Sequence, residues 1–182
     1  MALHQGPSIL VLAGLVSLLT GTVLHIVGQS TSEWFVVQSA SSAVADLRKD
    51  STIRSRLTIG LWKGCYSVEC FAVTGMTAEL KACEAFALLG ICASLAAFCL
   101  AFYNFKLAIS RKPQHEGVPT LVLWSSIVAA LFILICLIVW GATIYDSRIG
   151  HTGYSLLLSI IGGLFIVIGG GLVFVGSVNN LT

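Results

Sequence analysis

Four long stretches without a formal charge constrain the fold of this chain more than any other feature. They cover Ser8–Val27 (20 residues), Ala85–Phe105 (21), Val118–Tyr145 (28) and Tyr154–Val178 (25). An α-helix of 20 residues is about 30 Å long, which is the hydrocarbon thickness of a typical bilayer. Only 10% of the residues are charged, whereas a soluble domain carries about 25%. The sequence therefore predicts an all-α membrane protein with four transmembrane helices.

The first stretch would also fit a cleaved signal peptide. Residues 1–7 contain no Lys or Arg, and the stretch is long for the core of a signal peptide. A retained membrane helix over residues 8–28 is therefore the preferred interpretation.

Small residues recur every seven positions in the first and fourth stretches. They are Gly14, Gly21 and Gly28 in the first, and Ser155, Gly162, Gly169 and Gly176 in the fourth. This period keeps them near one face of a helix in a left-handed bundle and lets a neighbouring backbone approach closely. Glycine is common in membrane helices in any case, but two matching periods predict that helices one and four touch along these residues.

The chain is predicted to form one domain over residues 1–182. Its parts are helix one (8–28), extracellular loop one (29–81), helix two (82–105), a cytoplasmic loop (106–118), helix three (119–145), extracellular loop two (146–153) and helix four (154–178). Loop one holds six Lys or Arg and the 106–118 loop three, so a literal count would place loop one in the cytosol. Loop one also holds five acidic residues, whereas the three cations cluster near helix ends. We therefore expect both termini in the cytoplasm.

Loop one is rich in residues that favour strands. Residues 33–37, 52–59 and 70–73 predict the strands of a compact antiparallel sheet, with a polar connector at 39–50. Cys65 and Cys70 can lie on facing arms of a hairpin, where a Cα separation of about 5.5 Å suits a disulfide. Such a bond would add roughly 2 kcal/mol and would place loop one on the oxidising side of the membrane. Free thiols in a cytosolic loop are the alternative.

The other cysteines are Cys83, Cys92, Cys99 and Cys136. They lie in or beside apolar helices, where cysteine is ordinarily a small packing residue.

Trp34, the triplet Gly60-Leu61-Trp62, Cys65 and Cys70 stand in this order in the first loop of a four-span chain. The arrangement resembles the signature of the claudin superfamily, and more narrowly the branch of peripheral myelin protein, the epithelial membrane proteins and the lens intrinsic membrane protein. Residues 80–86 and 151–155 also match that pattern. The interval from Trp34 to Gly60 is longer than in the branch, and loop one has no Asn for the N-glycan of several relatives.

The resemblance implies a left-handed four-helix transmembrane bundle with a small extracellular antiparallel sheet. In it, Trp34, Leu61 and Trp62 would pin the sheet to the helix ends at the membrane interface, leaving an indole N–H for water or lipid. Insertion of the tryptophans into a neighbouring membrane or a partner subunit is the alternative role.

His25 and Glu84 are ionisable residues near the outer ends of helices one and two. An ionisable residue within a span suggests a partner, and we expect these two to form a hydrogen bond. Each could instead extend to the headgroups.

The sequence favours no enzymatic activity. It contains no Cys-x-x-Cys, His-Glu-x-x-His or Gly-x-Ser-x-Gly motif, and its four histidines lie on separate segments, so we expect no metal and no cofactor. A net charge of +2 with scattered cations gives no reason to expect a nucleic-acid partner. A tetraspanin would need a large loop where residues 146–153 lie.

The resemblance implies a plasma-membrane protein of cell–cell contacts, acting in adhesion, junctions or membrane organisation. We expect it to bind membrane lipid and to self-associate as a homo-oligomer, laterally and across apposed membranes, with other junction or channel proteins as further partners. An auxiliary subunit of an ion channel or receptor, or a former of paracellular pores, is the alternative. The nearly balanced charge of loop one gives no sign of a selective pore wall.

Overall fold

A computed structural model describes residues 8–38, 56–66, 69–73, 77–110, 117–143 and 150–179. The helices are α1 (Ile9–Ser30), α2 (Ala78–Ile109), α3 (Gly117–Thr143) and α4 (Tyr154–Val178). The strands are β1 (Phe35–Gln38), β2 (Arg56–Ile59), β3 (Lys63–Tyr66), β4 (Glu69–Ala72) and β5 (Gly150–Thr152).

Within the described residues, four helices are long and apolar enough to cross a membrane. The chain is therefore a multi-pass membrane protein, as the uncharged stretches predict. Helix four has the predicted ends, but α2 begins four residues before and ends four residues after its predicted bounds. The predicted helix lay between Lys81 and Lys106, whereas the observed helix continues through both of them and through Glu79. With 32 residues it is about 48 Å long, so its charged ends extend beyond the hydrocarbon.

The helices pack as a ring in the order α1, α4, α3, α2. Their inward faces carry small side chains that are fully buried, including Ala87, Ala97, Ala101, Ala129, Ser94 and Ser126. Large apolar side chains such as Leu12, Val16, Leu121 and Ile138 are about half exposed on the outside. This distribution suits a bundle in lipid, where small residues allow close helix packing and the outer face meets acyl chains.

The strands form one antiparallel sheet in the order β4, β3, β2, β1, β5. Strand β1 pairs with β2 on one side and with β5 on the other. Loop two was predicted as a plain connection, but its residues 150–152 form β5, so that expectation is corrected. A three-residue strand of Gly, His and Thr is too short to show the alternation that predicts a strand. Residues 52–55 of the second predicted strand, and the connector at 39–50, lie outside the described residues.

The sheet lies at one end of the bundle, which we call the sheet end. Here α1 and α3 finish, and α2 and α4 begin. One buried cluster joins the sheet to the helices, with Trp34, Phe35 and Leu61 from the sheet side and Leu80 and Trp140 from α2 and α3. The sheet therefore shares a core with the bundle.

Candidate functional site at the sheet end of the bundle

Trp34 lies at the centre of the junction between sheet and bundle. Its side chain has no exposed surface, and its ring makes an edge contact with Trp140 of α3 at a centroid distance of 5.0 Å. The indole N–H donates to the carbonyl of Gly28 at 2.7 Å. That carbonyl belongs to the last turn of α1, where carbonyls lack an intrahelical partner. The expectation that this N–H remains for water or lipid is therefore wrong: Trp34 caps a helix inside the core.

The Gly60-Leu61-Trp62 triplet forms the turn between β2 and β3. A Cβ on Gly60 would lie 2.6 Å from the Thr31 carbonyl oxygen, so only glycine lets the turn approach the chain leaving α1 this closely. Leu61 is fully buried, whereas Trp62 is 38% exposed. Trp62 is thus the one aromatic member of the motif that can reach a bilayer or a partner.

Cys65 and Cys70 form the predicted disulfide, which links β3 to β4 where they pair directly. Their Cα atoms are 4.0 Å apart. The Ser32 hydroxyl lies 3.6 Å from the sulfur of Cys65. The disulfide therefore locks β3 to β4, and its sulfur contacts the chain leaving α1.

Ser155, in the first turn of α4, connects that helix to the chain leaving α1, a role that the sequence pattern does not predict. Its hydroxyl oxygen accepts the Glu33 N–H at 3.1 Å and lies 2.7 Å from the Thr31 hydroxyl. Next to it, the Gly153 N–H donates to the Trp34 carbonyl at 3.0 Å. The stretch 151–155 matches the family pattern, but its sequence does not indicate that this serine joins the first and second loops.

The structure brings the small-residue faces of α1 and α4 together in antiparallel register. A Cβ on Gly21 would lie 2.7 Å from the carbonyl oxygen of Gly162, and one on Gly162 would lie equally close to that of Gly21. We call this contact between α1 and α4 the glycine seam. Along it, Gly14 also lies against Gly169, Gly28 against Ser155, and Gly176 against Leu10. The Ser17 hydroxyl adds a 2.9 Å hydrogen bond to the Phe165 carbonyl.

The predicted hydrogen bond between His25 and Glu84 is absent, because neither ring nitrogen of His25 has a partner. The ring instead faces Gly90, where an added Cβ would lie 3.3 Å from Nε2. Gly90 is six residues beyond Glu84, about 9 Å deeper along the helix. The prediction assumed that the outer ends of α1 and α2 lie at one depth, but His25 is five residues before the end of α1 whereas Gly90 is twelve residues after the start of α2.

His25 belongs to a group of buried polar side chains in the described part of the bundle whose atoms lack a hydrogen-bond partner. The others in this half are Thr22, Gln29, Trp140 and Ser159. Buried polar groups are usually paired, often by ordered water. These side chains could bind water between the helices, but the described residues contain no group of three side chains suited to a metal ion.

An exposed set of aromatic side chains lies on the outer part of the sheet. Trp62, Tyr66 and Phe71, which we call the aromatic patch, are 38%, 52% and 50% exposed. Tyr66 and Phe71 share a face, because Phe71 pairs with Gly64 and alternate residues of a strand point the same way. Strand β4, which bears Phe71, is the last strand of the described sheet.

No family model matches the chain, and no curated protein matches it. The residues at the sheet end are therefore the basis for inferring its function: they hold a small sheet against a membrane bundle and expose aromatic rings on and beside β3 and β4.

Proposed function

We propose that this chain belongs to the claudin superfamily, in the branch of peripheral myelin protein, the epithelial membrane proteins and the lens intrinsic membrane protein. It is a non-enzymatic plasma-membrane protein of cell–cell contacts. It acts by self-association, laterally and across apposed membranes. The motif residues support the kinship, because Trp34, Gly60 and Leu61 hold the sheet on the bundle and the disulfide joins two of its strands.

The observation that carries the contact function is the aromatic patch. Aromatic residues are enriched in protein interfaces and give large contact areas with little loss of side-chain entropy. Phe71 and Tyr66 lie on β4 and β3, at the edge of the described sheet opposite β5. An outer strand also offers backbone groups for pairing. Two copies meeting through β4 would form a symmetric interface in which each contributes the same surface.

The proposed orientation puts the sheet outside the cell and both termini in the cytoplasm. The Cys65–Cys70 disulfide supports this placement, because such bonds persist in oxidising compartments. With this orientation the aromatic patch lies outside the cell.

The proposal is tested in cells that form no junctions of their own. Two populations express the chain with different fluorescent labels and are mixed, and the enrichment of label is measured at contacts between two expressing cells. We expect enrichment at these contacts and none where an expressing cell touches a non-expressing one. Tyr66→Ser should reduce the enrichment, because it removes an exposed ring of the patch.

Lys63→Ser is the matched control, since Lys63 is an exposed, non-aromatic residue of the same strand. It should leave the enrichment unchanged. Equal enrichment of the unmodified chain, Tyr66→Ser and Lys63→Ser would show that the aromatic patch does not mediate the contacts. Absence of enrichment for the unmodified chain, with co-purification of one channel or receptor, would replace the proposal by the auxiliary role.

A further inference from the structure

Two buried thiols meet inside the bundle, apart from the disulfide in the sheet. The sulfurs of Cys83 on α2 and Cys136 on α3 are 2.7 Å apart. The Cys83 sulfur also lies 3.0 Å from the Cys136 carbonyl oxygen. Neither side chain is exposed, and both belong to the core cluster of the sheet end.

The distance between the sulfurs distinguishes the chemistries open to such a pair. Two thiolates bound to one zinc ion, at about 2.3 Å each in a tetrahedron, lie roughly 3.8 Å apart. The observed approach leaves no room for a metal ion, and the described residues supply no third ligand. Disulfide sulfurs lie about 2.05 Å apart. The pair therefore needs only a small movement to form a covalent bond.

We propose that Cys83 and Cys136 form a second disulfide, which links α2 to α3 at the sheet end. Two S–H bonds break and one S–S bond forms. The two electrons and two protons pass to the disulfide of a thiol oxidoreductase, through a mixed disulfide with one of the two cysteines. This step rests on the part of the proposed function that places the sheet end in an oxidising compartment.

Burial sets the order of events. An oxidoreductase cannot reach thiols that have no exposed surface, so the bond forms before α2 and α3 complete their packing. For the same reason it resists reduction in the folded protein. Cys70, by contrast, lies on an exposed strand, so a mild reductant opens the Cys65–Cys70 bond first.

The test uses the unmodified full chain in cell membranes. Free thiols are trapped by acid, the protein is unfolded in detergent with an alkylating reagent and no reductant, and the modified cysteines are identified by mass spectrometry. Of the six cysteines, four in two disulfides would leave only Cys92 and Cys99 alkylated. We also expect a cross-linked peptide that contains Cys83 and Cys136.

The Cys65–Cys70 bond is the internal control for the compartment. If that bond is present and Cys83 and Cys136 are alkylated in most molecules, the second disulfide is refuted while the proposed orientation stands. Alkylation of all six cysteines would refute both. Cys92→Ser, which removes an exposed cysteine of the same helix, should leave the cross-linked peptide in place, whereas Cys83→Ser should abolish it and free Cys136 for alkylation.

Discussion

Replacing a glycine of the seam by alanine should separate α1 from α4. A Cβ on Gly162 would lie 2.7 Å from the Gly21 carbonyl oxygen and 2.8 Å from the backbone nitrogen of His25, whereas ordinary van der Waals contacts begin at 3.4 Å. Both neighbours are backbone atoms, which cannot rotate away. The helices must therefore move apart by about 0.7 Å at this level, and a gap of that size forfeits a quarter to a half of the dispersion energy of each contact it opens.

Gly171→Ala on the same helix is the matched control, because a Cβ at Gly171 would meet nothing within 4 Å. Both substitutions gain the helix propensity of alanine, worth up to about 1 kcal/mol, so this contribution cancels in the comparison. Overpacking of a well-packed contact costs about 1–3 kcal/mol. We therefore expect the free energy of unfolding of Gly162→Ala to be lower than that of Gly171→Ala by about 1–3 kcal/mol.

The measurement is unfolding of the purified protein in mixed micelles by a denaturing detergent, followed by tryptophan fluorescence. Trp34 and Trp140 touch in the folded state, so loss of their contact reports on the sheet end. If the two alanine variants are equally stable, the close approach of α1 and α4 does not limit stability, and the role assigned to the seam is wrong.

Unfolding in the same micelles tests three further substitutions, followed by circular dichroism because one of them removes Trp34. Trp34→Phe should lower the free energy of unfolding by about 1 kcal/mol through loss of the hydrogen bond to the end of α1. The control Trp124→Phe, at a side chain that is 60% exposed, should not lower it. Equal losses in the two variants would contradict the capping role of Trp34. Cys65→Ser should lower it by about 2 kcal/mol under non-reducing conditions, and the difference should vanish when the unmodified protein is reduced. His25→Leu should leave it unchanged or raise it by about 1–3 kcal/mol, because it removes a buried ring without a hydrogen-bond partner; a loss of similar size would show that ordered water pairs with the ring.

The features that follow from periodicity and charge could be predicted from the sequence, because each of these patterns lies within one helix or strand. The uncharged stretches predict four membrane helices, and the seven-residue spacing of glycines predicts the face on which α1 meets α4. The hairpin position of Cys65 and Cys70 was also predictable, since few residues separate them. In each case the pattern lies within one helix or one turn.

Features that depend on contacts between distant segments could not be read in this way. To predict the hydrogen bond from Trp34 to the Gly28 carbonyl, one would need to know how deeply the chain before β1 enters the core. The meeting of Cys83 and Cys136 requires the register of α2 against α3, and periodicity does not fix a register. The error at His25 had the same cause, because the sequence does not show how far α2 extends beyond the end of α1.

Gly28 takes part both in the glycine seam between α1 and α4 and in the hydrogen bond that anchors the sheet through Trp34. Its backbone is close to Ser155 in the seam, and its carbonyl accepts the indole N–H that anchors the sheet. A bulkier residue there would loosen the bundle and displace Trp34 at once, whereas one at Gly14, about 21 Å away along α1, would loosen only the bundle. If the aromatic patch mediates contacts between cells, Gly28→Ala should weaken those contacts more than Gly14→Ala does at equal loss of stability. Equal weakening would mean that contacts depend on the amount of folded protein and not on the position of the sheet.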